Sequence, residues 1–423
     1  MARSTNRRRL RPEHLGGLGR ALTSRNYRFY ALGHLFHVHG WWGNRVGLGW
    51  LTWELTGSAA WLGIIAFAAM APVMFVGPFA GALADRHGHR RISMTAGAAG
   101  SLVTLTIGIL AITGHITMPL LLALVAAQGL LFGVDFPSRQ SLIPQLVTPG
   151  NISAAVALNA TTFHLGGFLG PVIAGFLIAT LGSGASILMY CATSVWMVAM
   201  LSLIRHARPV AHEHAEGGIW SDLSDGFRYV AGNRTLRLLL MLTFTMGMLV
   251  RPFHDLLPGF AAAVFARGAE GLATLNAVAG LGALSAALLL LFRGRTKGLT
   301  RIMMAAALAA PLGLALFAAT TRFPLALVAI AVTAAMLLGS QVGASSLIQN
   351  ITPPAMRGRV IAINVSLSVG GPALGALLMG WLADQLSLRP VVAASGVLAL
   401  IVVIAVLPAV RRRTGGMEAS PAE

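Results

Sequence analysis

Polar and ionisable side chains occur inside a long apolar stretch near the start of the chain, residues 27–54. Such side chains are costly in an apolar environment and are functional candidates by default. They share one face of a helix at 100° per residue, with an asparagine beside that face. The residues are His34, His37, Trp41, Asn44 and Arg45. Because imidazole takes up and releases protons near neutral pH, this face predicts a route for protons or for a polar ligand. The alternative is that His34 and His37 are only packed, each with one hydrogen bond.

A second charged group lies in residues 236–264, which contain Arg251, His254 and Asp255. Two interpretations of Asp255 stay open. Asp255 takes up and releases a proton, with its protonation tuned by burial and by the neighbouring arginine. Alternatively, Arg251 and Asp255 form a structural pair four residues apart on one helix. Among the other polar residues inside apolar stretches, His164 is the best candidate to line a cavity.

The composition identifies the broad class of protein. Of the 423 residues, 56% are hydrophobic and only 10% are charged, against about 25% charged in an ordinary soluble domain. A soluble fold of this size cannot cover its surface with so few charges, so we predict an all-α integral membrane protein. A single cysteine excludes an internal disulfide and a cysteine-based zinc site. The sequence shows no metal cluster and no nucleophile–base motif, so we predict neither an enzyme nor a bound metal or cofactor.

Twelve apolar stretches are each long enough to cross a bilayer as a helix. They fall at 27–54, 58–84, 91–113, 117–137, 152–181, 184–204, 236–264, 269–292, 300–320, 323–348, 358–384 and 388–409. We therefore predict twelve transmembrane helices.

The positive charges predict the orientation of these helices. The net charge is +18, which in a soluble protein would suggest a nucleic-acid partner. Here most of the arginines fall in the two tails and in the connections on one side, while the other side holds Arg267, Arg322 and Arg389. Cytoplasmic loops carry such an excess of positive charge. We therefore predict no nucleic-acid partner and a multi-pass protein of the bacterial inner membrane with both termini in the cytoplasm.

The longest hydrophilic stretch divides six predicted spans from six. The expected organisation is a basic tail (1–26), an N-terminal six-helix bundle (27–204), a linker (205–235), a C-terminal six-helix bundle (236–409) and a second tail (410–423). Within the linker, four apolar residues recur at helical spacing and predict an amphipathic helix in the membrane interface. They are Trp220, Leu223, Phe227 and Val230.

The two halves contain matching short segments in the same order and at nearly one offset. The pairs are Ser141-Leu142-Ile143 with Ser346-Leu347-Ile348, Gly170-Pro171 with Gly371-Pro372, and Asn26 with Asn233. Such matches indicate two six-helix repeats, an arrangement that places a substrate near mid-membrane between the repeats. Arg45 and Arg251 follow the paired asparagines at similar distances, so we expect them to face each other across the repeat axis.

The connection between the second and third spans carries a specific motif. It reads Gly81-Ala82-Leu83-Ala84-Asp85-Arg86-His87-Gly88-His89-Arg90-Arg91. This resembles the loop signature of the major facilitator superfamily, Gly-x-Leu-Ala-Asp-Arg-x-Gly-Arg-Arg/Lys, with a histidine at the ninth position. The resemblance implies the major facilitator fold and covers nearly the whole chain.

The same resemblance implies roles for the motif residues in a conformational gate. Gly81 would let two helices approach closely, and Asp85 would meet the positive end of the eleventh span. The basic residues, with Arg90 in place of a weakened His89, would hold the fourth span through Asp135. The gate residues implied in this connection and its partner are Gly81, Asp85, Arg86, His89, Arg90 and Asp135.

The fifth span contains a second family motif. Gly166-Gly167-Phe168-Leu169-Gly170-Pro171-Val172-Ile173-Ala174-Gly175 resembles the Gly-x-x-x-Gly-Pro-x-x-Gly-Gly helix that the superfamily associates with antiporters and drug exporters. Gly170 and Pro171 would provide close packing and a bend. The alternative is an ordinary interface of small residues.

Local segments resemble the enterobactin-exporter-like branch of the superfamily, for example Asn26-Tyr27-Arg28 and Glu54-Leu55-Thr56-Gly57-Ser58. The resemblance implies a secondary transporter that exports a small amphiphilic, drug-like or siderophore-like molecule by alternating access, coupled to protons. A different class also stays open, namely a lipid flippase or a transporter-like sensor without proton coupling. The expected partners are a small-molecule substrate, protons and the lipid bilayer, and the expected state is a monomer.

Overall fold

The structure, a computed structural model, describes residues 16–205, 219–293 and 297–418. Within these ranges the chain is helical and contains no strand. In the described part of the chain, eleven helices are long and apolar enough to cross a membrane. The all-α membrane fold predicted from the composition is therefore confirmed.

Each half contributes a set of long helices. Those of the first half are α2 (Arg25–Thr56), α3 (Ala59–His87), α4 (His89–Ile112), α5 (Met118–Leu146), α6 (Ile152–Leu181) and α7 (Ser183–Ser202). Those of the second half are α9 (Arg234–Thr245), continued by α10 (Phe253–Gly259), then α11 (Gly268–Arg293), α12 (Leu299–Ala319), α13 (Phe323–Ile351), α14 (Pro354–Leu386) and α15 (Leu388–Arg411). Three short helices complete the set: α1 (Gly16–Ala21), α8 (Ile219–Gly232) and α16 (Thr414–Glu418).

The predicted span that is missing from the eleven apolar helices is α2. It has 32 residues, enough to cross a bilayer, but its polar face lowers its hydropathy. It nevertheless lies inside the bundle and packs closely on α7. A methyl group added at Gly33 would lie 2.7 Å from the sulfur of Met197, and one added at Gly47 would lie 3.0 Å from the hydroxyl of Ser186. Glycines along α2 therefore allow its close approach to α7.

The helix bundle has two ends. We name the end at which α2 begins and α15 ends the termini face, and the opposite end, at which α2 ends and α3 begins, the far face. Near the far face the two halves are in close contact. A methyl group added at Gly63 would lie 2.2 Å from the carbonyl oxygen of Ala376, and one added at Gly175 would lie 2.1 Å from the Cβ atom of Ala273. The pairs α3–α14 and α6–α11 therefore join the halves there.

The paired Gly-Pro segments occupy corresponding positions in the two halves. A methyl group added at Gly170 in α6 would lie 2.6 Å from the carbonyl oxygen of His39 in α2. In the second half, a methyl group added at Gly371 of α14 would lie 3.5 Å from the backbone nitrogen of Met248, in the segment that follows α9. The first helix of each half thus packs on the glycine of the fifth, as the internal repeat predicts.

The seventh predicted span is not one regular helix. Met246–Val250 and Phe260–Val264 are π-helical, and the backbone N–H of Arg251 donates to the carbonyl of Met246 at 3.0 Å, five residues back. Pro252 precedes α10. Single-turn π segments inside α-helices often mark functional sites. Here they change the helical phase on both sides of the charged residues.

The predicted linker is described only from residue 219 onward. There α8 packs on α14, and a methyl group added at Gly226 would lie 3.1 Å from the Cβ atom of Arg359. The predicted first tail, the first part of the linker and the last five residues fall partly or wholly outside the described residues. The domain boundaries stay predictions.

Candidate functional site: a chamber between the halves

A cavity of about 450 Å³ opens within the first half, between α2, α5 and α6. One wall is aromatic: the rings of Trp41 and Phe132 stack with centroids 5.6 Å apart and an interplanar angle of 19°, and Phe163 lies 5.9 Å from Trp41. The other lining side chains include His34, His37, Arg139, Gln140, Asn159 and His164. The cavity therefore combines a flat apolar wall with hydrogen-bonding groups, as ligand pockets do.

The two deep histidines of α2 have little hydrogen bonding within the described residues. The Nδ1 atom of His37 lies 3.4 Å from the hydroxyl of Ser194, whereas its Nε2 atom and both ring nitrogens of His34 have no partner there. The ring of His34 stacks on Tyr30 at 5.7 Å. The alternative of packing with one hydrogen bond therefore fits His37. A buried polar nitrogen without a partner is a position that a ligand or water can satisfy.

The gate partner predicted for Asp135 is wrong. The Asp135 carboxylate pairs with the Nε atom of Arg139 at 2.8 Å and accepts a hydrogen bond of 2.5 Å from Ser93. Arg139 lies four residues further along the same helix, so the pair is local to α5. The sequence analysis missed Arg139, although its spacing from Asp135 was a usable signal.

A second cavity, of about 500 Å³, lies between the two halves. It shares Phe163 and His164 with the first cavity, so the two cavities adjoin there, and we name the pair the chamber. Arg45 and Arg251 both line it, together with His254, whose ring stacks on Phe253 at 4.1 Å. The chamber brings His34, His37, Trp41, Arg45, His164, Arg251 and His254 together.

Among the residues that the structure describes, one ion pair crosses between the halves. The Arg45 guanidinium contacts the Asp255 carboxylate at 2.6 Å, and both side chains are mostly buried. Arg45 also lies over the rings of Trp41 and Trp42 at 6.0 and 5.8 Å, where a cation is attracted by the ring electrons. The structural pair predicted between Arg251 and Asp255 is therefore wrong. The backbone between them is not regular α-helix, since the N–H of Asp255 bonds to the carbonyl of Pro252, only three residues back.

Besides Arg45, the second cavity is lined by one more arginine, Arg251. Within the described part of the chain, its guanidinium has no ion pair and donates no hydrogen bond. Asn44 lies deeper in the first half, where its amide donates to Gln128 at 3.1 Å and Gln128 donates to Thr104 at 2.7 Å. Asn44 is thus part of a packing network and does not line the chamber.

An acidic residue that the sequence analysis missed joins the halves at the far face. The carboxylate of Asp384, at the end of α14, accepts hydrogen bonds from the Ser58 hydroxyl at 2.6 Å and from the backbone N–H groups of Ala59 and Ala60 at 2.7 and 3.2 Å. It therefore caps the N-terminus of α3, where free N–H groups and the helix dipole favour an anion. We name Ser58, Ala59, Ala60 and Asp384 the far-face latch.

The predicted contact of Asp85 with the eleventh span is absent from this structure. Asp85 lies at the termini face with 49% of its side chain exposed and pairs with His89 at 3.2 Å. A methyl group added at Gly81 or at Gly358 would meet no atom within 4 Å. The close approach predicted at Gly81 is likewise absent from this conformation, in which α3 and α14 are apart at the termini face, and it stays a prediction for the alternate state.

The basic residues of the motif bind other groups than the fourth span. Arg90 donates to the carbonyls of Leu201 and Ser202 at 2.7 and 2.8 Å, so it caps the C-terminus of α7, where cations are favoured. Arg86 is exposed. The predicted hold of Arg90 on Asp135 is therefore wrong.

The remaining gate residues lie in α6. The close contact of Gly170 with α2 was described above, and Pro171 lines a small cavity beside Arg45 and Asp255. Both residues therefore lie at the level of the ion pair.

Comparison with known proteins identifies the family. Residues 21–421 match the family described as transmembrane secretion effector. The chain belongs to that family. As a member of the major facilitator superfamily, it is a transporter with many membrane-spanning helices.

Relatives and solved structures agree with this family assignment. The chain is 31% identical to the multidrug efflux pump Tap of Mycobacterium tuberculosis over 381 residues, which cover 86% of this chain and 88% of Tap. It is 28% identical to the enterobactin exporter EntS of Escherichia coli over 350 residues, 78% of this chain and 80% of EntS. The crystal structure of a bacterial homolog of the human lysosomal transporter Spinster superimposes with a TM-score of 0.72 at 14% identity, covering 94% and 99% of the two chains. The structural likeness shows the major facilitator fold.

Proposed function

We propose that this transmembrane secretion effector exports small drug-like or siderophore-like molecules across the bacterial inner membrane by alternating access. The observation that carries the proposal is the chamber within the first half and between the halves, together with the far-face latch that joins the halves at the far face. Similarity to exporters over most of the chain supports the direction of transport.

The distribution of arginines supports the orientation. Arg25 and Arg28 begin α2 at the termini face, and Arg86, Arg90 and Arg411 lie at the same face. The far face holds Arg267, Arg322 and Arg389, at connections between helices. Under the positive-inside rule, the termini face is cytoplasmic, so the chamber described here is open to the cytoplasm. The protein works as a monomer, since each chain holds a complete chamber.

Export then needs a second conformation, in which the halves separate at the far face and come into contact at the termini face. The far-face latch opens, and α3 and α14 come together at the termini face. Asp85 would then cap the N-terminus of α14, in the way that Asp384 caps α3 now. Two acids at opposite ends of the same helix pair would alternate in the same role.

Protons drive the exchange through the Arg45–Asp255 pair. Protonation of Asp255 removes the charge that holds Arg45, and the two halves lose an ion pair at the closed end of the chamber. Release of the proton restores the pair. A group that changes charge at this position couples the proton gradient to the conformation without any other energy source.

The test uses everted membrane vesicles from an efflux-deficient bacterial strain that produces the protein. With a proton gradient, acid inside, the vesicles should accumulate at least one compound of a panel that includes nalidixic acid and ethidium, and collapse of the gradient should prevent it. The double variant Arg45→Gln/Asp255→Asn should lose gradient-driven uptake but keep exchange of labelled for unlabelled substrate. Glu270→Gln, at an exposed acid on the far face, is the matched control and should behave as wild type. Lack of uptake of every compound, or movement of a headgroup-labelled lipid without a gradient, would contradict the proposal.

A further inference from the structure

The charges that face the chamber are all of one sign. Three arginines line it: Arg139 in the first cavity, and Arg45 and Arg251 in the second. No carboxylate belongs to the described lining of either cavity. The two acids nearby, Asp135 and Asp255, are each in an ion pair with an arginine, and Asp255 lines the small cavity that shares Arg45 and His254 with the second cavity.

Two of these three arginines are in ion pairs with a carboxylate. Arg139 is bound to Asp135 and Arg45 to Asp255, whereas Arg251 has no ion pair or hydrogen bond to any residue that the structure describes. An unpaired charge inside a membrane protein is costly. It is retained where a ligand or an ion supplies the missing opposite charge.

The groups around Arg251 fit a ligand anion. The neighbouring polar groups in the same cavity are neutral hydrogen-bonding side chains, Gln341 and Ser345, and the imidazoles of His164 and His254. A guanidinium group binds a carboxylate through two parallel hydrogen bonds. The cavity therefore offers an anion one unpaired guanidinium and offers a cation no carboxylate.

The apolar part of the ligand also has a defined place. Phe163 and His164 belong to both cavities, so a molecule held at Arg251 extends into the first cavity. There the stacked rings of Trp41 and Phe132 form a flat wall, and flat rings stack favourably on such walls.

We propose that the transported molecule is an aromatic amphiphile with an acidic group, which pairs with Arg251 while its rings lie against Trp41 and Phe132. This inference rests on the proposed export function, because it names the substrate class of the same chamber. It excludes lipophilic cations as the preferred substrates.

The experiment compares three probes of one shape and different charge on the purified protein without a gradient: 1-naphthoate, 1-naphthamide and 1-naphthylmethylammonium. Calorimetric titration at constant ionic strength should show the naphthoate bound roughly ten- to a hundredfold more tightly than the amide, as expected for a charge-assisted hydrogen bond. The ammonium should bind more weakly than the amide.

Substitutions at Arg251 test whether its guanidinium causes the preference for naphthoate. Arg251→Gln should remove the preference for naphthoate over naphthamide, and Arg251→Lys should keep part of it. Removal of an unpaired charge is not expected to destabilise the fold, and unliganded melting curves check this. Arg322→Gln, at an exposed arginine on the far face, is the matched control and should keep the full preference.

The outcomes decide the inference separately from the export function. Equal binding of all three probes, tighter binding of the ammonium, no binding of any probe, or an undiminished naphthoate preference in Arg251→Gln would each overturn the inference. None of these results depends on transport. Conversely, absence of uptake in the vesicles alongside a naphthoate preference would contradict export and leave the binding class intact.

Discussion

The two ends of the α3–α14 helix pair carry the same Gly-x-Leu-Ala-Asp pattern, but the helices are in contact at one end and apart at the other. Gly81-Ala82-Leu83-Ala84-Asp85 ends α3 at the termini face, and Gly380-Trp381-Leu382-Ala383-Asp384 ends α14 at the far face. At the far face the acid caps the neighbouring helix, and a methyl group added at Gly380 would lie 2.4 Å from the carbonyl of Ala59. At the termini face Asp85 is half exposed, and Gly81 faces open space.

The difference shows what such a motif specifies. The glycine and the acid permit a tight helix contact, but the contact forms only at the end where the partner's N-terminus is within reach. At the termini face, Arg359 near the start of α14 is instead 3.7 Å from Asp225 of α8. The motif therefore encodes a contact that depends on conformation, and the sequence analysis assigned it to only one of the two ends.

Loss of the ion pair across the halves should have the largest effect on the closed end. Asp255→Asn leaves Arg45 without its opposite charge, and breaking a buried pair by removal of one partner costs about 3–5 kcal/mol. The melting temperature of the purified protein should fall clearly. Adding Arg45→Gln to Asp255→Asn should restore most of it, whereas adding Arg251→Gln should restore less. Equal rescue by both second changes would show that Asp255 serves Arg251 as much as Arg45.

Removal of the far-face latch should have the next largest effect. Asp384→Ala loses a helix cap worth about 0.5–2 kcal/mol and should favour opening at the far face. A reporter cysteine at Leu62, which is buried beside the ion pair, should react roughly two- to thirtyfold faster with an impermeant maleimide added at the far face. The background is Cys191→Ser.

A conservative variant sharpens this comparison. Asp384→Asn keeps a side chain that caps helices nearly as well, so its labelling rate should stay near that of wild type. Fast labelling in Asp384→Asn as well would show that the charge, and not the cap, closes the far face.

Change of the acid at the other end should act in the opposite direction and more weakly. Asp85→Asn alters little in this conformation, because the half-exposed Asp85 contacts His89 only weakly. It removes an acid from the helix N-terminus that Asp85 would meet in the alternate state, worth about 0.3–1 kcal/mol. Labelling of the Leu62 reporter should therefore fall, by about two- to fivefold. Asp85→Glu should label as wild type does, and faster labelling in Asp85→Asn would refute the alternating role.

A third acid at a helix N-terminus provides the smallest effect, because it joins elements of one half only. Glu418 in α16 accepts hydrogen bonds from the N–H groups of Gly298 and Thr300 at the start of α12 at 2.5 and 2.9 Å. Burial acts to raise the pKa of Glu418, but these hydrogen bonds and Arg301 lower it overall.

The direction of this shift sets the pH dependence. Because the folded-state pKa of Glu418 lies below the unfolded value, its stabilising effect is present above the unfolded pKa and is lost as the pH falls through the folded pKa. Hydrogen-exchange protection at residues 414–418, measured relative to the intrinsic exchange rate at each pH, should therefore fall on acidification in wild type, and less so in Glu418→Gln. Labelling of the Leu62 reporter should be unchanged in Glu418→Gln. A change there would mean that the cap on α12 also controls the contact between the halves.

The fold followed from the sequence because hydropathy and charge are strong signals in a membrane protein. The apolar stretches, the repeat and the family motif predicted the helices and the superfamily. Only α2 was ambiguous by composition, because the same polar face that lines the chamber lowers its hydropathy. Polar residues within a span were therefore a better guide to function than to the number of spans.

The partners of the site residues were less predictable. Helical spacing suggested that Arg251 pairs with Asp255. In the structure the backbone near Pro252 is irregular, and Asp255 pairs instead with Arg45, on a helix of the other half. Contacts between distant segments have no spacing signal. A repeated motif can replace it. The Gly-x-Leu-Ala-Asp pattern recurs at the end of α14, and this recurrence would have identified Asp384. The aromatic wall was also detectable, as Phe132 and Phe136 lie four residues apart on α5.

The two π-helical segments around Arg251 and Asp255 have a consequence for how this span tolerates insertions and deletions. A π turn holds one residue more than an α turn, so each segment is a single-residue insertion that the helix has absorbed without losing its ends. Deletion of one residue within Met246–Val250 would let the span return to a regular α-helix. Everything on one side of the deletion would then rotate by about 100°, and the charged residues would face a different neighbour. A one-residue difference in length at this point thus lets related chains turn the same charged side chains toward different neighbours without substituting any of them.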